Sequence, residues 1–495
     1  MKYLKSIFFL LASASLAGCS NDAVEEGDYS SWTAGLVTTQ QDANTLFFVP
    51  TDGGMMLTMD RTNMTYEKLV QMNGGSISTD DGGSGLVGVQ TYKGDLMVPS
   101  EVDGNPVVAI DQYALAANMN LTSVKLPESI KTIGSESFAL CSSLDSVVLP
   151  SQITELSQGV FAGNGVRKVI VPDAVEKISH FAFLKNTRLD SVVINAAASK
   201  LTQIEPSAFY GCTALSSCPL PETIQEVGAY AFYGCSSLKE TKIPAQATKI
   251  NPYQYYNCSS LTETTIPTTV TEIGPYAFYG CSKMTTYHVG KESLIKHIGF
   301  RAFYNNQKLM EFIFPDGLED IGSQAFRDCR LITQVEIPEG ITAIKDSTFF
   351  NCRALATLKL PSTLQTIGSY AFYYNAFKSV EIPNGISEVP SRAFFYCTKL
   401  TSVSIPESVT TLGDKAFANC SSLAEITLPS SLTTMGFNVF YKCSKLKKIH
   451  LKSAVPPTLN TTLDVKTATY YIPKGSLEAY QKADYWKDIT NYVEE

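Results

Sequence analysis

Residues 221–243 set a pattern of apolar and polar positions that recurs along most of the chain. Aliphatic side chains stand at Ile224 and Val227, followed by a small residue at Gly228, the pair Ala231–Phe232, then Cys235, Leu238 and Ile243, with polar residues filling the gaps. The pattern returns in residues 244–266 and again in 267–289, opening each time on a proline (Pro244, Pro267), so the period is 23 residues. A fixed period of this size is the mark of a solenoid, whose repeats bury their apolar faces only by stacking. The stretch from Leu238 to Ile243 alternates as a short strand does, and residues 228–233 suit one helical turn. Proline ends each strand because it has no N–H to extend the ladder. The expected fold is an α/β repeat solenoid with one short strand and one helical turn per 23-residue repeat.

One column carries an unusual pair of residue types. Cys141, Cys212, Cys235, Cys258, Cys281, Cys329, Cys352, Cys397, Cys420 and Cys443 share it with Asn118, Asn164, Asn186, Asn306 and Asn375. A buried ladder at a chain turn accepts both, because each is a small donor for backbone carbonyls that a bend leaves unpaired. Stacked strands lie ~4.8 Å apart, but stacked side chains point the same way, which disfavours disulfides, and the asparagines would leave cysteines without mates. The cysteines are mostly 23 residues apart, and His180, His288, His297 and His450 match no ligand spacing, so no zinc site and no other metal is expected. Cys218 falls outside the column, at a position held by Val147 and Val403 in other copies, and reads as a small apolar strand residue.

These residues resemble the BspA-like (Treponema-type) leucine-rich repeat found in many bacterial surface proteins. The motifs are Leu-x-x-Val-x-Ile-Pro, as at residues 400–406, and Ile-Gly-x-x-Ala-Phe-x-x-Cys, over about 15 units. The resemblance implies a curved leucine-rich-repeat stack with short helical turns opposite the strands, no catalytic residues, and a place among proteins linked to adhesion.

The rest of the chain adds an address. Residues 1–19 read as a lipoprotein signal peptide: Lys2 and Lys5, an apolar run from Ile7 to Ala17 too short to span a bilayer, and Leu16-Ala17-Gly18-Cys19, which resembles a lipobox with Cys19 as the lipid attachment site. Residues 20–30 form an acidic tether that also fits a signal for export to the outer face of an outer membrane. Residues 31–91 lie outside the repeat and read as an irregular β-rich segment. Gly83-Ser-Gly85-Leu-Val-Gly88 matches a dinucleotide-binding string by letter but has neither a strand before it nor a helix after it, and reads as a turn. Asp80 and Asp81 match no calcium-loop spacing. The solenoid is expected over residues 92–452, its first repeat an irregular cap with a hairpin at Asp103-Gly104, and residues 453–495 as a C-terminal cap with a strand and a short helix opened by Ser476.

Net charge is -8 and the pI is about 5.3, which argues against a nucleic-acid surface. Two sets of residues are candidates for binding. Glu240, Glu263, Thr286, Glu311 and Glu336 are expected on the outward face of the strands, where they make the centre mildly acidic. Tyr210, Tyr230, Tyr233, Tyr253, Tyr276 and Tyr279 are expected along the turn side, either as a recognition surface or as rings packed against neighbouring turns. No Ser/His/Asp set and no regular carboxylate pair occurs, so the chain reads as a non-enzyme without cofactors. The expected function is a surface-anchored adhesion or protein-interaction scaffold, binding protein or glycan and meeting the membrane only through its lipid. The alternative is a glycan-capture accessory lipoprotein of a nutrient-uptake system.

Overall fold

The computed structural model describes residues 35–41, 44–59 and 92–495. Cys19, the signal peptide, the acidic tether, Asp80, Asp81 and the string at 83–88 lie outside the described residues. Packing divides the chain into two compact units, Met1–Pro244 and Ala245–Glu495. Both are β-solenoids built from the same repeat.

Most repeats contribute two short strands rather than one. In the N-terminal unit, Lys168–Val171 pairs in parallel with Ser191–Ile194, while the two-residue strand Glu155–Leu156 joins Lys177–Ile178, Gln203–Ile204 and Glu226–Val227 in a second parallel sheet. The C-terminal unit repeats the arrangement, with Glu425–Leu428 beside Lys448–Leu451 in one sheet and Glu388–Val389, Thr411–Leu412, Thr434–Met435 and Thr458–Leu459 in the other. The second strand is the segment holding Val227 and its equivalents. Its apolar residue is buried and its neighbour exposed, which is the alternation of a sheet edge reduced to one step.

The expected helical turn is absent. Residues 205–212 run as linked turns in which alternate amides have different partners. Ala208, Tyr210 and Cys212 donate three residues back, to Glu205, Ser207 and Phe209, whereas Ser207, Phe209 and Gly211 donate to Ala229, Ala231 and Tyr233 of the next repeat. Ser207 (φ 59°) and Gly211 (φ 73°) are left-handed, at the third position of their turns, where a type II turn takes a positive φ. A helix would spend every amide within its own segment and leave the neighbouring repeat's carbonyls unpaired. Inter-repeat bonding therefore wins over a segment too short to nucleate a helix. The one α-helix among the described residues is Leu477–Lys482.

The core follows the Ala-Phe positions. Phe138, Phe161, Phe183, Phe209 and Phe232 stack at centroid separations of 5.6, 5.4, 5.0 and 5.2 Å. In the C-terminal unit Tyr255, Phe278, Phe303, Phe326, Phe349 and Phe372 do the same at 5.4, 5.6, 5.1, 5.6 and 5.9 Å. The rise between repeats sets the spacing, and rings of this size fill it.

The Cys/Asn column is a buried donor ladder except at Asn164, whose Nδ2 has no partner, and Asn186, whose Nδ2 donates to Asn164 Oδ1, and its expected role needs a further correction. Cys235 Sγ donates to Phe209 O (3.2 Å), and Asn306 Nδ2 donates to Phe278 O (2.9 Å). Those carbonyls are not orphans: Cys212 N–H and Cys281 N–H already reach them, so the ladder engages the second lone pair. The eleven described cysteines are free and buried, and burial pushes Cys141, Cys281 and Cys397 up to about 12. Asn375 donates to Phe349 O at 3.1 Å, but its Oδ1 is buried without a partner. Asn375→Cys keeps the donor and removes the unpaired oxygen. The urea midpoint of the C-terminal unit is expected to hold or rise, and a loss above ~2 kcal/mol would contradict this role for the ladder.

The ends are closed by added strands. Val37–Gln41, Asn44–Thr51 and Gly54–Thr58 form an antiparallel meander whose last strand pairs in parallel with Asn105–Ile110. Asp103 and Gly104, both at positive φ, turn Glu101–Val102 back onto that strand. At the other end Thr469–Ile472 and Tyr492–Glu494 extend the sheet, and Trp486 Nε1 and Tyr480 OH donate to Pro457 O and Ser453 O, both at 2.7 Å. Ser476 does not cap the helix with its side chain. Its hydroxyl donates to Pro473 O, and the carboxylate of Glu494 receives the Leu477 amide at 3.2 Å.

Candidate functional site

Register places the sequence-derived sheet-face residues. Glu263 pairs with Thr286 and Thr286 with Glu311, so these three share an outward column; Glu263 and Glu311 are exposed and Thr286 is half-buried. Glu240 is exposed but lies in a stretch without strand geometry. Glu336 belongs to a different column. It is two residues beyond Gln334, opposite Lys359, whose Nζ sits 2.7 Å from its carboxylate and holds that carboxylate below its ordinary pKa. Glu263 in turn stands 3.5 Å from His288 Nε2.

The tyrosines are half-buried and stacked on one another. Tyr210 and Tyr233 are 4.4 Å apart and nearly coplanar (1°), with Tyr230 tilted against Tyr233 at 6.0 Å. In the C-terminal unit Tyr253 stacks on Tyr276 (4.5 Å) and Tyr256 on Tyr279 (4.5 Å). Rings so paired present edges and hydroxyls, not open faces. A flat sugar needs a ring face, so these rows are poor sugar platforms.

The N-terminal unit carries several exposed apolar side chains on its long strands. There Met97 lies opposite Lys125 and Lys125 opposite Val148 in one sheet, and Ile170 opposite Val193 in another. Met97 and Val148 are each 56% exposed, Ile170 64% and Val193 38%. Beside them stand the polar residues Ser123, Ser146, Lys168 and Ser191. Soluble surfaces carry single apolar side chains routinely, whereas several on neighbouring strands are less common.

Elsewhere the chemistry is sparse. An open cleft of about 400 Å³ is lined by Glu425, Thr427, His450, Lys452 and Glu495, and its charges are paired: His450 Nδ1 to Glu495 at 2.8 Å and Lys452 Nζ to Glu407 at 3.3 Å. Among the described residues, no group of three or more His, Cys, Asp and Glu is placed to hold a metal ion. Among them also, no helix is long and apolar enough to cross a membrane.

Comparison with known proteins agrees with the architecture. No curated protein matches the chain. The fold is similar to that of a leucine-rich repeat protein from Bacteroides ovatus, 20% identical, with a TM-score of 0.55 and coverage of 93% of this chain and 98% of that one. A leucine-rich cell surface protein from Faecalibacterium prausnitzii is 24% identical over 84% of this chain and 94% of its own, with a TM-score of 0.40. The family model for the BspA-type leucine-rich repeat region matches residues 108–200, 196–295, 291–399 and 365–461, most of the length over which the two-stranded repeat and its donor ladder recur. The chain belongs to the BspA-type leucine-rich repeat family.

Proposed function

We propose that the chain is a non-enzymatic adhesion scaffold that binds protein ligands, held at the outer membrane by a lipid on Cys19 and facing the cell exterior. The carrying observation is the exposed apolar group Val148, Ile170 and Val193, with Met97 set apart from it by Lys125 and with Lys168 and serines alongside. Such a group, apolar at its centre and polar at its rim, is the composition of a protein-binding patch. The lipobox-like Leu16 to Cys19 and the acidic stretch after it support the address. Glycan capture is the weaker reading, because the tyrosine faces are occupied by one another.

The test is an array of matrix proteins, bacterial surfaces and glycans probed with the full chain in detergent. Val148→Glu with Ile170→Glu places two charges in the group without touching the core. Capture of protein is expected to fall at least about tenfold with the melting temperature unchanged, since removing a central contact costs ~1–2 kcal/mol or more. Protein capture that survives both changes, or capture of glycans alone, would overturn the assignment.

A further inference from the structure

The chain has eight arginines, Arg61, Arg167, Arg188, Arg301, Arg327, Arg330, Arg353 and Arg392. The last five lie on the turn side of the C-terminal unit, against an acidic background of net charge -8. Four of them, Arg301, Arg327, Arg353 and Arg392, are built into its aromatic rows. Tyr279 stacks on Tyr304 at 4.7 Å, Phe350 on Tyr373 at 4.2 Å and Tyr373 on Phe395 at 5.4 Å. Between Tyr304 and Phe350 the rung is the guanidinium of Arg327, 5.7 Å from one ring centroid and 3.9 Å from the other. Alongside, Arg301 lies over Phe300 (4.8 Å), Arg353 over Tyr374 (4.6 Å) and Arg392 over Tyr370 (5.3 Å).

These cations are poorly neutralised. Arg301 Nε donates to Gln324 Oε1 (2.9 Å), Arg353 Nε to Asn351 Oδ1 (2.7 Å) and Arg392 Nη1 to Ser391 Oγ (3.3 Å), all neutral oxygens. Among the described residues, the one carboxylate within ion-pair reach of the five is Asp328, 3.6 Å from Arg327 Nε and 3.7 Å from Arg330 Nη2. Asp346 and Asp414 stand alongside but receive the Ser369 and Phe437 amides. Each guanidinium has five N–H groups, so most of the donors on Arg301, Arg330, Arg353 and Arg392 have no protein acceptor. The rings hold the guanidinium groups of Arg301, Arg353 and Arg392 in place, which lowers the entropy lost when a carboxylate is gripped.

We infer that this band docks an acidic segment of a partner protein, with carboxylates taken in fork geometry by the arginines and the segment's apolar atoms lying on the ring edges. Tyr, Phe and Arg with little Lys or Glu is the composition of protein interface centres. Charge selects an anionic partner. The covered ring faces leave no platform for sugar stacking, which selects polypeptide over glycan. The inference rests on reading the chain as an interaction scaffold, and places a second surface on it.

The experiment measures binding of the full chain in detergent to immobilised poly-L-glutamate, with heparin in parallel and sedimentation to record self-association. The comparison is Arg330→Gln with Arg353→Gln and Arg392→Gln, which leaves the stacked rung Arg327 intact; the melting temperature checks the fold. Wild-type binding to poly-L-glutamate that weakens with salt and falls about tenfold or more in the triple variant is the expected result. Equal binding by both proteins overturns the inference. So does heparin retention lost in the variant without poly-L-glutamate binding, which would make the occupant an anionic glycan. Self-association lost in the variant, again without poly-L-glutamate binding, would make it a second copy. The two readings fail separately. Protein capture on the array with no arginine dependence here removes only this surface, and arginine-dependent binding here with an empty array removes only the adhesion reading.

Discussion

Replacing Phe326 with alanine is expected to lower the stability of the C-terminal unit by about 3–5 kcal/mol, the range for truncating a buried aromatic side chain. Phe326 is fully buried within its ladder. It stacks on Phe303 at 5.1 Å and on Phe349 at 5.6 Å, and meets Phe312 and Phe314 edge-on at 5.1 and 5.2 Å. The cavity would be bounded above and below by rings pinned in repeats of their own, and each repeat is fixed by inter-repeat bonds such as Phe326 N–H to Thr348 O (3.0 Å). The surroundings therefore have little room to collapse, which puts the cost toward the upper end. Urea unfolding followed by circular dichroism measures it. A loss below ~1 kcal/mol would mean that the stacked rings slide to fill the gap and that the ladder is not a rigid core.

The N-terminal unit should lose stability as pH rises from about 5 to about 7, through a single carboxyl. Glu136 occupies a left-handed turn position (φ 56°) and is 7% exposed, and burial pushes its carboxyl from the ordinary 4.5 up to about 7. The folded state thus holds a proton that the unfolded state releases. Below pH ~4.5 both states are protonated and Glu136 carries no penalty. Between there and about 7 only the unfolded chain ionises, at about 1.4 kcal/mol per pH unit, so the loss reaches about 3 kcal/mol and then levels off. Exposed carboxylates such as Glu128, held below the usual range by the Ser151 amide and hydroxyl, act in the opposite sense and at lower pH. Glu136→Gln isolates the effect: the stability difference between variant and wild type should grow in the variant's favour from pH 5 to pH 7.5. A difference flat across that interval would refute the buried, protonated state of Glu136.

Much of this could be read in the chain because a solenoid writes each core position many times. The Phe232 column, the Cys235 column and the prolines recur at a fixed interval, and each recurrence marks the same contact. The binding surfaces were less legible. Val148, Ile170 and Val193 are β-branched residues of a type common in cores, yet they stand two residues beyond Ser146, Lys168 and Ser191 and share their outward face. Glu336 shares the outward face with the Glu311 column but stands one column over, two residues beyond Gln334. The five arginines fall at three positions of the repeat, Arg301 with Arg392, Arg330 with Arg353, and Arg327 alone, so no single column of them recurs often enough to stand out.

The sequence by itself determined the period, the family, the residues of the core and the donor ladder, since these depend on which side chains are buried and burial repeats with the stack. The tertiary structure alone decided the path of the backbone between them. Residues such as 228–233 can form a helical turn in isolation, and the two-residue strands have no pattern long enough to announce themselves. Both are settled by the neighbouring repeat, whose carbonyls take every other amide of the turn and pair the short strand. A partner 22 or 23 residues away cannot be weighed by any local preference, and it outbids the helix because a buried backbone group left unpaired costs more than the propensity of a single turn returns.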